Sequence, residues 1–292
     1  MKTESRPRRP KAPTAKRRDA APITGPIDGL GPARRIVCLT AETTEIVFAL
    51  GAGDRVVGVS GYAVRPPEAR KKPKVAAYTS IKFEKILALK PDLVLAFSDL
   101  QKDVVRQLVG AGLPVFTLNQ RSLAETLNAI LWIGMLIGEA DRARALVDEF
   151  TAEIAAAWAA RPDGARRPVV YFEEWDEPLI TGIRWVGELI EAAGGVDAFE
   201  HLRLNHRAPD RVIQSEDVVA RRPDIIVASW CGKKANLTRI KSRAGWDQIP
   251  AVRHGRVHEI KSPDILQPGP SLLHGLRLLR GFIDAWRPED TD

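Results

Sequence analysis

The chain has 292 residues, of which 45% are hydrophobic and 28% are charged. This length favours one large domain or two lobes over a small module, and the composition excludes a disordered, collagen-like or membrane-embedded chain. The two cysteines, Cys38 and Cys231, are too few for a disulfide framework and have no metal-binding spacing, so a structural metal is not expected.

The formal charge of +7 is confined to the start of the chain. The first 35 residues hold ten Lys or Arg against three acidic residues, a difference of seven, and the rest of the chain balances 34 basic against 34 acidic residues. A neutral body gives no general electrostatic surface for DNA or RNA, so no nucleic-acid partner is expected.

Residues 1–33 alternate basic residues with Pro, Ala and Thr, which predicts a disordered basic tail. This tail either binds a polyanion, or is a solvated extension, or reflects a start codon placed too early. It has no apolar run of secretory length, and no later run predicts a membrane-spanning helix. The sequence as written predicts a cytoplasmic protein, or a periplasmic one if the start site is misassigned.

Aliphatic runs and turn residues predict alternating strands and helices along the rest of the chain. In chain order these are a strand at 35–39, a helix at 43–50, strands at 55–59, 114–118 and 168–172, a helix at 185–193 and a strand at 256–260. Between the strands at 114–118 and 168–172, a capping-box pattern at Ser122 begins a helical stretch that runs to Ala160. Gly134 and Gly138 leave open whether this stretch is one kinked helix or two abutting helices.

One segment of the chain occurs twice without a gap. Residues 83–96 match residues 215–228, with Glu84 opposite Glu216 and a Pro-Asp pair at the same place in each copy. Each copy predicts a short helix, a turn and a buried parallel strand, because proline ends a helix and an aliphatic run suits a strand covered on both faces. The two halves of the chain therefore have similar folds.

These patterns predict an α/β protein with two Rossmann-like α/β lobes joined by a long rigid helical connector. The predicted boundaries are 34–120 for the amino-terminal lobe, 121–162 for the helical backbone and 163–289 for the carboxy-terminal lobe. Open parallel sheets bind ligands beyond the carboxyl ends of their strands, so a ligand cleft is expected between the lobes.

The loops after the predicted strands carry aromatic, hydroxyl and acidic side chains suited to a large, flat or polar small molecule. The predicted ligand-binding residues are Tyr62, Tyr78, Ser98, Glu173, Trp175, Trp230 and Asp264. The rings could instead close the ends of a core, and the acidic residues could be solvated loop residues. Four other tryptophans at helical spacing are predicted to pack in the core or between helices, namely Trp132, Trp158, Trp185 and Trp286.

No sequence motif for a nucleophile, a phosphate loop or a catalytic metal occurs, so the chain is expected not to be an enzyme. The alternative is a chelatase-like enzyme acting on a tetrapyrrole or metal chelate through Glu173, Glu174 and Cys231. Glu84 and Glu216 begin their helices, where a carboxylate is stabilising. Their equivalence also allows a docking surface with one carboxylate on each lobe.

Two parts of the chain resemble a known family. The run from Arg35 to Val59, followed by Pro66-Pro67-Glu68 and the first repeat copy, is similar to the substrate-binding proteins of vitamin B12 and iron-siderophore ABC importers. The second part, Tyr171-Phe-Glu-Glu-Trp-Asp-Glu-Pro with the helix that follows, is most similar to the cobalamin-binding members. The resemblance spans about residues 34–286.

The resemblance implies a non-catalytic protein that binds cobalamin or a similar metal chelate as its ligand, with no built-in cofactor. It implies a monomer that is the substrate-binding component of an importer, or a cytoplasmic homologue of one. Glu84 and Glu216 match the glutamates that dock onto the ABC permease, Tyr78 matches an aromatic of the corrinoid pocket and Asp264 a polar contact. Asp210 stands where cobalamin-binding members have a pocket tryptophan, which keeps a more polar or anionic chelate open.

Overall fold

A computed structural model describes residues 31–160, 164 and 166–288. From Pro32 onward the chain forms one compact unit that contains two β-sheets. The predicted basic tail at residues 1–33 lies outside the described residues, except for its last three.

The amino-terminal lobe is built around a six-stranded sheet. Its strands are β1 (Ile36–Cys38), β2 (Val56–Ser60), β3 (Lys74–Ala77), β4 (Ser80–Ile81), β5 (Leu93–Phe97) and β6 (Val115–Leu118). Its α-helices are α1 (Ala41–Ala49), α2 (Phe83–Ala88) and α3 (Lys102–Gly110). The strand order is β4-β3-β2-β1-β5-β6, and all neighbouring strands are parallel except β3 and β4.

The central strands β1 and β5 are apolar throughout because helices cover both faces of the sheet. Every residue of both strands is buried. One face packs with Ile46 of α1 and with Ile130 and Ile133 from the helices between the lobes. The other face packs with Ile86 of α2 and Leu108 of α3. The lobe therefore has two core layers, and its strand ends are left for a site.

Two helices, α4 (Leu123–Leu136) and α5 (Ala140–Ala159), form a helical spine between the lobes. Ser122 caps α4 as predicted: its Oγ accepts from the Glu125 amide at 3.2 Å, and the Glu125 carboxylate accepts from the Ser122 amide at 3.0 Å. Gly138 has a left-handed φ of 72°, a conformation that favours glycine at the end of a helix. The connector is thus two abutting helices, the second of the two alternatives.

Of the two roles predicted for the tryptophans of the spine, a place in the core is wrong. Trp132 is 47% exposed and Trp158 is 56% exposed. The buried stripe of α4 runs through Ala129, Ile130 and Ile133, so position 132 faces outward. The other two predicted core tryptophans, at 185 and 286, are buried.

The carboxy-terminal lobe contains the second sheet. Its strands are β7 (Val169–Asp176), β8 (Leu179–Thr181), β9 (Val196–Asp197), β10 (Ile225–Ala228) and β11 (Val257–Glu259). Its α-helices are α6 (Arg184–Ala193), α7 (Ser215–Arg221), α8 (Leu237–Lys241), α9 (Pro250–Arg253), α10 (Ser262–Ile265) and α11 (Leu272–Asp284). The order is β11-β10-β7-β8, with β9 also on β7, and the β7–β8 pair is antiparallel while the others are parallel.

Both copies of the repeat form the predicted helix and strand, α2 with β5 and α7 with β10. The strand predicted at 168–172 is longer than expected. It continues to Asp176 because β8 pairs with its second half, where Trp175 lies opposite Ile180. Within the part of the chain that the structure describes, no helix is both long enough and apolar enough to cross a bilayer.

Candidate ligand-binding cleft

Each sheet has a point where its strand order reverses. In the amino-terminal lobe the chain passes from β1 to β2 on one side, while β5 lies on the other side of β1. In the carboxy-terminal lobe β9 and β10 lie on opposite sides of β7 in the same way. The carboxyl ends of strands at such switch points are the usual ligand sites of open α/β sheets.

Contacts between the lobes bring these two ends together. The Arg65 guanidinium donates to the Asp264 carboxylate and to the Pro263 carbonyl of the other lobe. Gln120, just before the spine, donates through Nε2 to the Pro268 carbonyl at 3.2 Å. The predicted cleft therefore exists as a seam between facing strand ends, and Arg65 closes one side of it.

The amino-terminal wall of the cleft carries Tyr62, Tyr78 and Ser98. Tyr62 follows β2 and is 58% exposed, while Tyr78 follows β3 and lies beside the Ser98 hydroxyl. Ser98 has a left-handed φ of 66°, and its Oγ accepts from the Leu100 amide at 3.3 Å. Partial burial raises the pKa of Tyr78, and the nearby Glu42 carboxylate raises it further. Tyr78 is therefore a neutral phenol facing the cleft.

The carboxy-terminal wall carries two tryptophans with a lysine between them. The Lys233 ammonium lies 4.1 Å from the Trp175 ring centroid and 4.7 Å from the Trp230 ring centroid. The same ammonium donates to the Asp176 carboxylate at 2.7 Å. Trp175 is half-buried, whereas Trp230 is only 3% exposed. Lys233 thus covers the indole faces by a cation–π contact.

Glu173 lies inside the carboxy-terminal lobe and has no exposed surface. Its carboxylate accepts from Arg243 at 2.5 and 3.0 Å, from the Trp230 indole at 3.0 Å and from the Tyr171 hydroxyl at 3.2 Å. A buried carboxylate with this many donors is satisfied. The structure therefore places Glu173 and Trp230 behind the cleft wall, where they support the Trp175 side of the cleft.

Asp264 also has a partner in this structure. It is nearly buried, and its carboxylate forms the pair with Arg65 across the seam. Arg65 follows β2, so the pair joins the two strand-end loops directly. A ligand that takes the place of Arg65 on Asp264 requires this pair to separate.

The residues of the enzyme alternative do not form an acid–base pair. Arg211, almost fully buried, donates to Glu174 at 2.7 and 3.1 Å, and Glu173 is held by Arg243. Cys231 is exposed. Desolvation raises its pKa and Glu174 raises it further, while the Ser262 hydroxyl lowers it. The sulfur is therefore a neutral thiol.

Glu84 and Glu216 lie in the first turns of α2 and α7, as predicted. Both are exposed, and neither carboxylate has a hydrogen-bond or ion-pair partner among the described residues. Both remain available to a partner.

The residues that the sequence did not single out are Glu42 and Arg65. Glu42 begins α1, directly beyond the end of β1, and is only 4% exposed. Its place after a central strand is the one sequence signal for it. Arg65 precedes Pro66 in a loop, and no local pattern predicts its partner almost 200 residues later.

A separate open groove of about 620 Å³ lies on the amino-terminal lobe alone. It is lined by residues of β4 and α3 and of the turn before β4: Thr79, Ser80, Ile81, Asp103, Val104, Arg106 and Gln107. Because none of these belongs to the other lobe, this groove is distinct from the cleft at the seam.

Two α/β lobes on a helical spine, with their strand ends facing, define a bilobal solute-binding protein. Residues 36–263 match the family model for the periplasmic binding protein, and the chain belongs to this family. The predicted fold class and the resemblance to importer binding proteins are thereby confirmed.

The vitamin B12-binding protein of Vibrio parahaemolyticus is 27% identical over 249 residues, which cover 84% of this chain and 87% of that protein. The uncharacterized ABC transporter substrate-binding lipoprotein YvrC of Bacillus subtilis is 31% identical over 263 residues, covering 86% and 80%. The apo periplasmic heme-binding protein RhuT of Roseiflexus superposes with a TM-score of 0.74 at 28% identity, covering 87% of this chain and 99% of that one. These names support the periplasmic alternative and give no support to the cytoplasmic prediction.

Proposed function

We propose that this chain binds a corrinoid or a related metal chelate between its lobes, as the substrate-binding component of an importer. The observation that carries the proposal is the meeting of two switch points at one seam, where Arg65 of one lobe contacts Asp264 of the other. The family is one of binding proteins, which supports a role without catalysis.

In this proposal Tyr62 and Tyr78 contact one face of a flat ligand and Trp175 contacts the other. Ser98 and Asp264 contact polar groups at its edge, while Glu173 and Trp230 hold the wall beneath. Apolar area buried against these rings contributes about 25 cal/mol per Å², which supports micromolar or tighter affinity after the costs of association.

Binding requires the seam to open slightly. The Arg65–Asp264 pair spans the cleft, and Lys233 covers the face of Trp175. The two lobes are joined by the packed helical spine and not by a flexible hinge, so the opening is a small shift of loops and lobes. Fractionation of the native cells tests the compartment: we propose that the protein is found outside the cytoplasmic membrane.

Titration of the purified chain with hydroxocobalamin, haem and a ferric siderophore tests the function. Ligand absorbance and tryptophan quenching monitor the titration. We expect saturation at one equivalent for at least one chelate, without formation of product. Trp175→Ala is expected to weaken binding about tenfold or more, whereas Trp132→Ala, on the spine, is the control and leaves affinity unchanged. Saturation by none of the chelates overturns the proposal, and product formation supports the chelatase-like alternative.

A further inference from the structure

The first two turns of α1 present two carboxylates to the seam. Glu42 and Glu45 lie three residues apart and therefore share a face of the helix. The loop before α11 packs directly on this face: a Cβ atom added to Gly269 would lie 3.4 Å from the Cβ of Glu42. Glu42 thus lies beyond the end of β1, at the switch point, and is covered by the opposite lobe.

Several acceptor oxygens at this place have no donor. Glu42 Oε1, Glu45 Oε2 and Gln120 Oε1 are buried and lack a hydrogen-bond partner among the described residues. An acceptor buried without a donor is costly to the fold, so groups of this kind are rare unless a ligand or water supplies the donor. Burial raises the pKa of Glu42 to about 7, and raises the pKa of Glu45 as well.

The cations near this place are already paired with other carboxylates. Arg65 pairs with Asp264, and Arg121, whose charge reaches Glu42, donates to Asp99 at 2.9 Å. Lys233 on the opposite wall donates to Asp176. The seam therefore offers unpaired acceptors, while each of these cations has a carboxylate partner. Two donors lie beside Glu45: the Ser271 hydroxyl, and Arg65, whose Nε is buried without an acceptor among the described residues.

A bound metal ion fits these oxygens poorly. Across the described ranges, no three or more His, Cys, Asp or Glu side chains are arranged to hold a metal ion. An N–H or O–H donor would satisfy these oxygens. Tyr78 lies near Glu42, so a donor bound there would belong to a ligand held in the cleft.

We propose that Glu42, with Glu45 and Gln120 beside it, selects a ligand whose edge carries hydrogen-bond donors over one whose edge carries carboxylates. This inference rests on the proposed function and deepens it. Corrinoids carry amide side chains around the ring, whereas haem carries propionates. An amide N–H satisfies the orphaned oxygens, while a carboxylate placed there meets like charge in a buried site. The cleft is thereby suited to an amide-bearing corrinoid.

The test uses a matched pair of ligands, dicyanocobinamide and dicyanocobyrinic acid, which share the corrin ring but carry amides and carboxylates respectively. Dissociation constants are measured at pH 8, where the Glu42 carboxyl is ionised, for the wild-type chain and for Glu42→Gln. The control is Glu200→Gln, an exposed substitution in the carboxy-terminal lobe. The groups that face Glu42 and bear on its ionisation are Glu45, Arg121, Tyr78, the Cys38 thiol and the Thr40 hydroxyl.

The wild-type chain is expected to bind the amide form at least about tenfold more tightly, and Glu42→Gln to narrow this ratio by about tenfold. Glu200→Gln is expected to keep the full ratio. If the wild type binds the amide and carboxylate forms equally, or if Glu42→Gln leaves the ratio of the two dissociation constants unchanged, the inference is overturned while the binding function stands. Binding of neither form, nor of haem, overturns the proposed function together with the inference.

Discussion

At the scale of single residues, Glu42 combines a cost in stability with a place in the cleft. Its carboxyl is buried just beyond the end of a central strand, and its Oε1 atom has no hydrogen-bond partner among the described residues. Residues that oppose stability in this way are frequent at functional sites. The burial of this carboxyl also affects the stability of the ligand-free protein, where it can be measured.

Glu42 gives the fold a pH dependence whose direction follows from its pKa. Burial raises this pKa from 4.5 to about 7, so between these values the folded chain keeps a proton that the unfolded chain releases. The free energy of unfolding is therefore expected to fall as pH rises through this window, by roughly 3 kcal/mol at most. Urea denaturation of the wild type and of Glu42→Gln at pH 5 and pH 8 measures it.

The Glu42→Gln variant is expected to lose less stability than the wild type between these two pH values. Asp197, whose pKa burial raises to about 6, contributes in the same direction and accounts for part of the slope that remains. An identical slope in both proteins would show that Glu42 is solvated, which contradicts the burial described above.

At the scale of secondary structure elements, strand β7 depends on an ion pair between its own Glu173 and an arginine from outside the strand. Glu173 lies in the interior of the lobe, and Arg243, after α8, supplies two hydrogen bonds to its carboxylate. Arg243 also lies over the Trp246 ring at 4.5 Å, so the pair is packed on an aromatic core. The end of β7, and with it Trp175, is positioned by this contact.

Glu173→Ala is expected to destabilise the fold by about 3 to 5 kcal/mol, because it leaves the Arg243 guanidinium partly buried without its partner. Chemical denaturation measures the loss. The matched control is Glu177→Ala at the exposed end of the same hairpin, where an expected change below about 1 kcal/mol reflects a surface ion pair. Equal effects from the two substitutions would contradict a structural role for Glu173.

Local sequence signals predict the helix and strand of each repeat copy but not the full length of β7. The helix and strand of each repeat copy could be predicted, since proline, aspartate and an aliphatic run are local signals. The extension of β7 could not, because two adjacent glutamates are typical of a solvated loop. Their partners Arg243 and Arg211 lie 70 and 37 residues further along the chain.

The same reason explains which site residues were found. Tyr78 and Trp175 follow strands, a position that sequence reveals. Glu42 also follows a strand, but its cover by the opposite lobe, like the partner of Arg65, depends on distant contacts. Trp132 was predicted to be buried because it stands among aliphatic residues. Its actual exposure is decided by which side of α4 packs on the lobes.

At the scale of the whole molecule, the spine keeps the two lobes at a fixed separation. Glu84 and Glu216 project from equivalent helices of the two lobes, and both are exposed. Two carboxylates held apart by packed helices suit a partner with two arginines at a matching distance. This geometry supports the proposal that they dock the protein on a permease.

Glu84→Lys combined with Glu216→Lys is expected to leave the affinity for the chelate unchanged while abolishing its uptake by native cells, since each lysine opposes the partner's cation. Each single variant is expected to lose part of the uptake. Measured dissociation constants and uptake of labelled cobalamin give the two readouts. Normal uptake by the double variant would remove both residues from the docking surface.

Lys233 gives the cleft an internal competitor for its own ring surface. A ligand gains the face of Trp175 only in those molecules whose ammonium has moved aside, so the observed affinity is the intrinsic affinity multiplied by that fraction. The ammonium also donates to Asp176. In the proposed mode of binding, Lys233 would therefore lower the affinity for cargo, because the indole face is freed only when the cation–π contact is lost.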